Sequence, residues 1–507
     1  MVANVIAPIM LLLASALVMP LLSKVGEYLK FPKVRDAFSF ITLAVVLYLV
    51  YTLMPYTPLT YRIEIFGGPY GVELQVNIMS IYMAVIALIM LILVSFYSVK
   101  YMEVDNGLDK YYTLLMTLGA GIIGVVFSGD FFTLYIFWEL LCISSYTLVS
   151  FRKYRWQAVE GGIKYLIMST FGSLIALYGI SLLYGVAGTL NFSALSNIII
   201  QAQMSGSSLP LYVIILMIIV GFGVSSAIVP FHTWIPDAYV GAPNCIASLS
   251  TVVLKISAFI IIRTIITIFN PLMFDYGLIL ICFGILSLTL GNFLAIMQKD
   301  IRRLLAFSSV SNMGYIFTGV GVGTYVVTRY GSGAGYIFEV AMIGVFLHMF
   351  NHILGKGLLF MAIGNFSKLT KSYYLNKLEG IGKKMPMTGF STSIGLLGLG
   401  GVPPLSGFWS KLFIISAAAA YVFEPVLLIT LVFLIFNAVF DAAYYIWVFQ
   451  RIMFKPVAEG SQSATEVSFF MWLPILVAAA MLIIITIRLD FFITFVQAGL
   501  KSLFGGA

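Results

Sequence analysis

Charge is what this chain lacks most. Only 9% of its 507 residues are Asp, Glu, Lys or Arg, against 61% hydrophobic, and the mean hydropathy is +1.04. Soluble domains carry about 25% charge, so lipid rather than water must be the main solvent. Cysteine is nearly absent as well. Cys142, Cys245 and Cys282 are scattered through apolar stretches without CxxC spacing, which gives no basis for a disulfide framework, a metal site or an iron-sulfur cluster. No cofactor is expected in this chain, and electron transfer, if it occurs nearby, belongs to another subunit. A basic leader and a small-residue cleavage site are also missing: LLSKVGEYLK follows the first apolar stretch, which therefore reads as a retained helix.

What is present is a succession of apolar runs, each near the roughly 20 residues needed to span a bilayer as a helix. They fall at about 3–23, 36–55, 77–98, 111–129, 131–151, 163–186, 209–237, 244–268, 274–297, 301–323, 333–365, 387–421, 424–450 and 467–490. The fold class is thus an all-α polytopic membrane protein with about fourteen transmembrane helices.

The net charge of +8 is a topology signal rather than a nucleic-acid signal, because most of the 28 basic residues lie on alternate loops. Lys24 to Arg35, Lys100, Lys110, Arg152 to Arg155, Lys299 to Arg303, Lys368 to Lys384, Arg451 and Lys455 follow odd-numbered spans. The even loops and the chain ends offer little beyond Arg62, Arg329, Arg488 and Lys501. The expected placement is a multi-pass protein of the cell (plasma) membrane with both termini outside and the basic loops in the cytoplasm. Between spans 2 and 3, YRIEIF and VELQV flank GGPYG, the pattern of a short outer β-hairpin that clips a neighbouring subunit or is simply an ordered loop.

Two spans are interrupted. Pro230 and Pro236 stand in AIVPFHTWIPDAY, and Gly400, Gly401, Pro403 and Pro404 in GLGGVPPLSGFWSK. Proline removes a donor and glycine eases the bend, so helices 7 and 12 should break, which needs a protein- or water-lined cavity at that depth. The breaks lie five spans apart. The chain divides accordingly into 1–110 (helices 1–3 with the hairpin), 111–268 (a first five-helix repeat, helices 4–8), 274–450 (a second, helices 9–13) and 451–507 (helix 14 and the tail). An odd number of spans per unit inverts one copy relative to the other, and paired broken helices point to a transport path.

Ionisable groups occur inside these apolar runs: Glu139, Lys255, His348, His352, Lys356 and Lys411. A charge near the bilayer centre costs about 3 kcal/mol on insertion scales, so such residues should face protein or water and mark an ion or proton path. His348, His352 and Lys356 follow at i, i+4, i+8, one stripe about 12 Å long. Histidine can take a proton on one nitrogen and release one from the other, and a desolvated lysine gives up its proton more readily than one in water. Purely structural roles compete: histidines bonded to backbone or Ser, a static Glu139–Lys255 bridge, and Glu160 with Lys164 as i, i+4 helix support. Asp237, Glu139 and Asp441 would serve protons or sodium alike.

Six ordered motifs carry a family resemblance: GDFFTLYIFWELLCISSYTL, EGGIKYLIMSTFGS, VPFHTWIPDAYVGAP with VVLKISAFIIIR, QKDIRRLLAFSSVSNMGY, HMFNHILGKGLLF and GVPPLSGFWSKLF. Over residues 75–450 the chain resembles the antiporter-like subunits shared by respiratory complex I, Mrp-type cation/proton antiporters and membrane-bound hydrogenases. The resemblance implies a proton-channel subunit with Glu139 as the helix 5 glutamate and Lys255 as the bridging lysine of helix 8. It makes His348 and His352 the helix 11 connection, and Lys411 the exit-side lysine. Where the family usually has a lysine on helix 7, this chain has Ser225, which cannot titrate; with His232, Asp237, Glu160 and Lys164 it forms a second tier of pathway candidates. The tail is short for the long lateral helix of one class of complex I pump, and the composition leans towards an archaeal hydrogenase-like or sulfur-reducing complex. Such a subunit implies protons or sodium as cargo, further membrane subunits as partners, including a similar antiporter-like or a small one, and iron-sulfur or nickel-iron centres only in those partners. The competing expectations are an antiporter subunit without redox chemistry and a non-pumping spacer.

Overall fold

The computed structural model describes residues 5–31, 33–64, 71–204, 208–458, 462 and 464–504. Its helices are α1 (Ala7–Tyr28), α2 (Val34–Leu53), α3 (Ile78–Tyr101), α4 (Leu108–Phe127), α5 (Phe131–Val149), α6 (Trp156–Ala187), α7 (Phe192–Met204), α8 (Ser208–Ser225) and α9 (Ile235–Gly241). They continue with α10 (Asn244–Ile268), α11 (Gly277–Ile296), α12 (Ile301–Tyr330), α13 (Gly335–Thr370), α14 (Pro386–Gly400), α15 (Ser406–Ala419), α16 (Pro425–Met453), α17 (Phe469–Ile487) and α18 (Leu489–Phe504). Every apolar run of the sequence coincides with a helix or an interrupted pair.

Among the described residues, 11 helices are long and apolar enough to cross a membrane. The three remaining runs are the broken pairs α8/α9 and α14/α15, and α12, whose 30 residues include Ser308, Ser309, Ser311 and Asn312. Burial separates centre from rim: the most apolar stretch of α10 is 100% buried and that of α13 83%, against 28% for α16. Helices α7 and α18 escaped the apolar-run reading because they are amphipathic and lie between or beyond the runs, and α6 starts at Trp156 rather than 163, where its first turns are polar.

The hairpin forms. β1 (Leu59–Glu64) pairs antiparallel with β2 (Gly71–Val76), Arg62 facing Glu73; most of the expected turn lies outside the described residues. It is anchored to its own chain: Gly129 N donates to Glu73 O at 2.7 Å, Glu73 N to Asp130 Oδ2 at 3.0 Å, and the buried Arg263 of α10 to Gln75 O at 3.4 Å.

One local motif occurs twice. At the start of α5, Phe131 N donates to Leu190 O at 3.1 Å and Phe192 N to Gly129 O at 3.0 Å; at the start of α12, Ile301 N donates to Tyr373 O at 3.0 Å and Leu375 N to Lys299 O at 3.1 Å. Both helices begin with an aspartate N-cap, Asp130 accepting from Thr133 N and Asp300 from Arg302 N. Helix α5 is thus pinned to the segment after α6, and α12 to the segment after α13.

Helices α11 and α12 are held together by glycine. A Cβ on Gly291 would lie 2.5 Å from Ser311 N, and one on Gly314 2.5 Å from Leu288 N. Side chains there would push the backbones apart, and close backbone approach is how helices associate where lipid removes any hydrophobic drive between them.

Candidate functional site

The breaks expose carbonyls that a continuous helix would satisfy, and each break solves this differently. At the end of α8, Phe222 O and Val224 O accept from Ser226 N and Ala227 N, each at 3.1 Å, and Ser257 Oγ of α10 and Trp234 Nε1 add second donors to them at 2.6 Å and 3.0 Å. At the end of α14, where Gly401 takes φ +73°, it is the ammonium of Lys411 that donates to Leu399 O, at 3.1 Å. A helix C-terminus carries partial negative charge, so the second break is a cation seat and the first a neutral one.

Lys411 has a second partner. Its Nζ lies 3.1 Å from Asp441 Oδ2 on α16, both side chains almost wholly buried, and 4.9 Å above the ring of Tyr315. Asp441 Oδ1 accepts from Tyr444 OH at 2.7 Å and Ser311 Oγ at 3.3 Å, and the same Tyr444 oxygen lies 3.3 Å from Asn292 Oδ1. Removing two ions from water costs several kcal/mol each; the mutual attraction and these extra donors offset that cost.

From this pair the polar groups continue along α13. The ring of His348 is 5.2 Å from that of Tyr315, and its Nδ1 is 3.0 Å from Ser410 Oγ on α15. One turn on, His352 is fully buried with neither nitrogen hydrogen-bonded among the described residues. One turn further, Lys356 donates to Leu305 O at 2.8 Å and to Ser308 Oγ, and lies 5.5 Å above the Tyr445 ring. Lys255 lies on α10, which packs against α13; it is fully buried, and its Nζ has no hydrogen-bond partner among the described residues.

The first half is built differently. Glu139 is half-buried on α5, near the outward-facing Phe132, Ile136 and Ile143, and one carboxylate oxygen is buried without a hydrogen-bond partner among the described residues. Among the described residues no ion pair joins it to Lys255. Ser225 ends α8, its hydroxyl buried and without a hydrogen-bond partner among the described residues. His232 is half-buried in the turn between α8 and α9.

Glu160, Lys164 and Asp237 gather elsewhere, at the end of the molecule that carries the basic loops. Lys164 is 2.6 Å from both Glu160 Oε1 and Asp237 Oδ2, and Arg303 is 2.6 Å from Asp237 Oδ1. This half-exposed network ties α6, α9 and α12 together, so the helix-support reading of Glu160 and Lys164 accounts for only part of its contacts.

Of the groups singled out in the sequence, then, Lys255, His348, His352, Lys356 and Lys411 share one buried region, whereas Glu139, Ser225 and the surface network stand apart. Asp441 was marked in the sequence only as a carboxylate able to serve protons or sodium; its pairing with Lys411 was silent there, since one aspartate 30 positions away in an apolar helix carries no spacing signal. Tyr315 and Ser308, on the polar helix α12, were likewise silent. No cluster of three or more His, Cys, Asp or Glu suited to a metal occurs among the described residues.

Comparison with known proteins agrees with this layout. The family model described as NADH:quinone oxidoreductase/Mrp antiporter, transmembrane, matches residues 128–440. Subunit N of the NADH-quinone oxidoreductase of Myxococcus xanthus is 30% identical over 406 residues, 75% of each chain. One subunit of the Na(+)/H(+) antiporter of Alkalihalophilus pseudofirmus is 30% identical over 353 residues, 69% of this chain and 68% of the relative. A chain of the membrane-bound sulfane sulfur reductase, an archaeal respiratory membrane complex, superposes with a TM-score of 0.83 at 25% identity, covering 99% of this chain and 98% of that one.

Proposed function

Because the chain belongs to the NADH:quinone oxidoreductase/Mrp antiporter membrane family, we propose that it translocates protons, with sodium as the alternative cargo, as an antiporter-like subunit of a redox-driven membrane complex. The observation that carries this reading is the buried run Lys255, His352, His348, Tyr315, Lys411 and Asp441. Five of the six can gain or lose a proton or hold a charge near neutral pH, and all lie in helices surrounded by apolar ones. Fixed structural pairing would leave every member with a partner; His352 and Lys255 have none among the described residues.

In this reading a proton reaching Lys255 or Lys356 is passed along the histidine stripe. Positive charge arriving at His348 repels the Lys411 ammonium, which is held by Asp441 and the α14 C-terminus, and Lys411 then discharges. Asp441 is the counter-ion that keeps Lys411 in place between cycles, and Glu160, Lys164 and Asp237 form the rim on the basic-loop side. Fourteen spans in two inverted five-helix units, within a four-part chain, fit the duplicated bridge and the paired breaks. Partner membrane subunits would carry the redox centres, and the basic loops would face the cytoplasm of a cell-membrane complex.

The test is proton and sodium movement by the purified, reconstituted complex carrying His352→Ala or Lys411→Ala. Coupled ion movement should fall at least about tenfold while electron transfer is partly kept; unchanged ion movement in both variants removes the reading. The reading without redox chemistry predicts that mild-detergent purification yields no iron-sulfur or nickel-containing subunit. The uncharged Ser225 at the end of α8 favours a narrower variant, in which the first half serves only as a spacer.

A further inference from the structure

A groove of about 720 Å³ opens between α4, α5 and α6 at the end of the molecule that bears the basic loops. Its walls are apolar: Leu114 from α4, Phe151 beyond α5, and Val159, Ile163 and Leu166 from α6. Ile163 and Leu166 are 50% and 37% exposed, and they continue into an exposed apolar face at Ile167, Phe171 and Leu174. The groove therefore opens sideways onto the surface that must meet lipid.

Its upper end has the opposite character. Lys110 and Lys153, both exposed, line the mouth together with Asn106 and Ser150. Among the described residues neither lysine makes an ion pair. Asp105, in the adjoining loop, is taken by Arg152 at 2.7 Å and by Tyr154 at 3.0 Å, and Asp109 pairs with neither lysine. Tyr154 and Trp156, which follow Lys153 in the chain at the start of α6, are 71% and 72% exposed, as aromatic side chains are at the level of lipid headgroups.

We propose that this groove holds an anionic phospholipid, its phosphate between Lys110 and Lys153 and an acyl chain along Ile163 and Leu166. Charge complementarity selects the occupant. An anionic lipid of the adjacent leaflet brings its negative charge and its apolar chain at the two depths where the groove has ammonium groups and aliphatic walls, and basic pockets of this kind recognise phospholipid headgroups. A protein segment filling the same space would need a carboxylate at that one level. The inference is independent of the transport reading, because neither lysine belongs to the buried run.

The experiment is native mass spectrometry of the purified complex from nanodiscs of phosphatidylcholine containing a minor fraction of phosphatidylglycerol. The wild type should retain phosphatidylglycerol on this chain, and the double variant Lys110→Glu with Lys153→Glu should retain about tenfold less. The variant Lys299→Glu with Lys377→Glu, altered at exposed lysines outside the groove, should match the wild type and shows that net charge alone is not responsible. Equal retention in the two double variants overturns the proposal. So does displacement of the lipid by millimolar inorganic phosphate alone, which would make the site a phosphate site, or a neighbouring subunit seated in the groove of the assembled complex. Both lysines are solvent-exposed, so the variants are expected to fold, and an unchanged melting temperature checks this.

Discussion

The Lys411 ammonium lies 3.1 Å from the Asp441 carboxylate, inside a protein whose first half has no counterpart of this pair among the described residues. Lys411 reaches from one half of a broken helix back to the carbonyl that ends the other half, so the ion pair and the break are one construction. Discharging Lys411 changes the electrostatics of both.

Asp441→Ala should therefore destabilise the purified complex strongly, by about 3–5 kcal/mol, since it leaves a buried ammonium with only a carbonyl and an aromatic face. Asp441→Ala combined with Lys411→Met should recover much of that loss. Thermal unfolding of the two single variants and the double variant measures the coupling; strictly additive losses would show that the pair does not act as a unit.

Glu139→Gln should reduce ion movement less than Asp441→Asn does, because Glu139 has no cationic partner among the described residues while Asp441 holds Lys411. Ser225→Lys should lower thermal stability, as it places an ammonium at a buried position that a serine now fills. Proton-flux assays on the reconstituted variants, run beside melting curves, check both. A larger flux defect for Glu139→Gln would move the working centre to the first half.

Trp234→Phe keeps an aromatic ring in place but removes the donor to Val224 O. The carbonyl of Val224 at the end of α8 then keeps only its bond from Ala227 N, at 3.1 Å, and the loss of one hydrogen bond is expected to cost about 0.5–1.5 kcal/mol. Hydrogen exchange by mass spectrometry should show faster exchange confined to the α8/α9 break and not to α14/α15.

Gly314→Leu should separate α12 from α11, since even a Cβ meets Leu288 N at 2.5 Å. Overpacking of this kind costs about 1–3 kcal/mol or more. Because α12 also carries Ser308, Ser311 and Tyr315, ion movement should fall along with the melting temperature, whereas Gly333→Ala, in open space, should change neither.

The sequence by itself determined the solvent, the helical class, the two interruptions and the residues worth watching on α13. Each follows from a local property: apolar length matched to a bilayer, proline and glycine where a helix must fail, and a four-residue spacing that puts His348, His352 and Lys356 on one face. The hairpin was legible for the same reason, as period-two polarity around a Gly/Pro turn. What only the tertiary structure decided was which charges meet. Lys411 found Asp441 across 30 residues, Arg303 found Asp237 across 66, and Glu139 did not meet Lys255. Helix periodicity fixes which side of a helix a group occupies, but the neighbour on that side is set by how helices far apart in the chain pack, and in lipid that packing rests on glycine contacts and satisfied backbone groups whose partners no local pattern names.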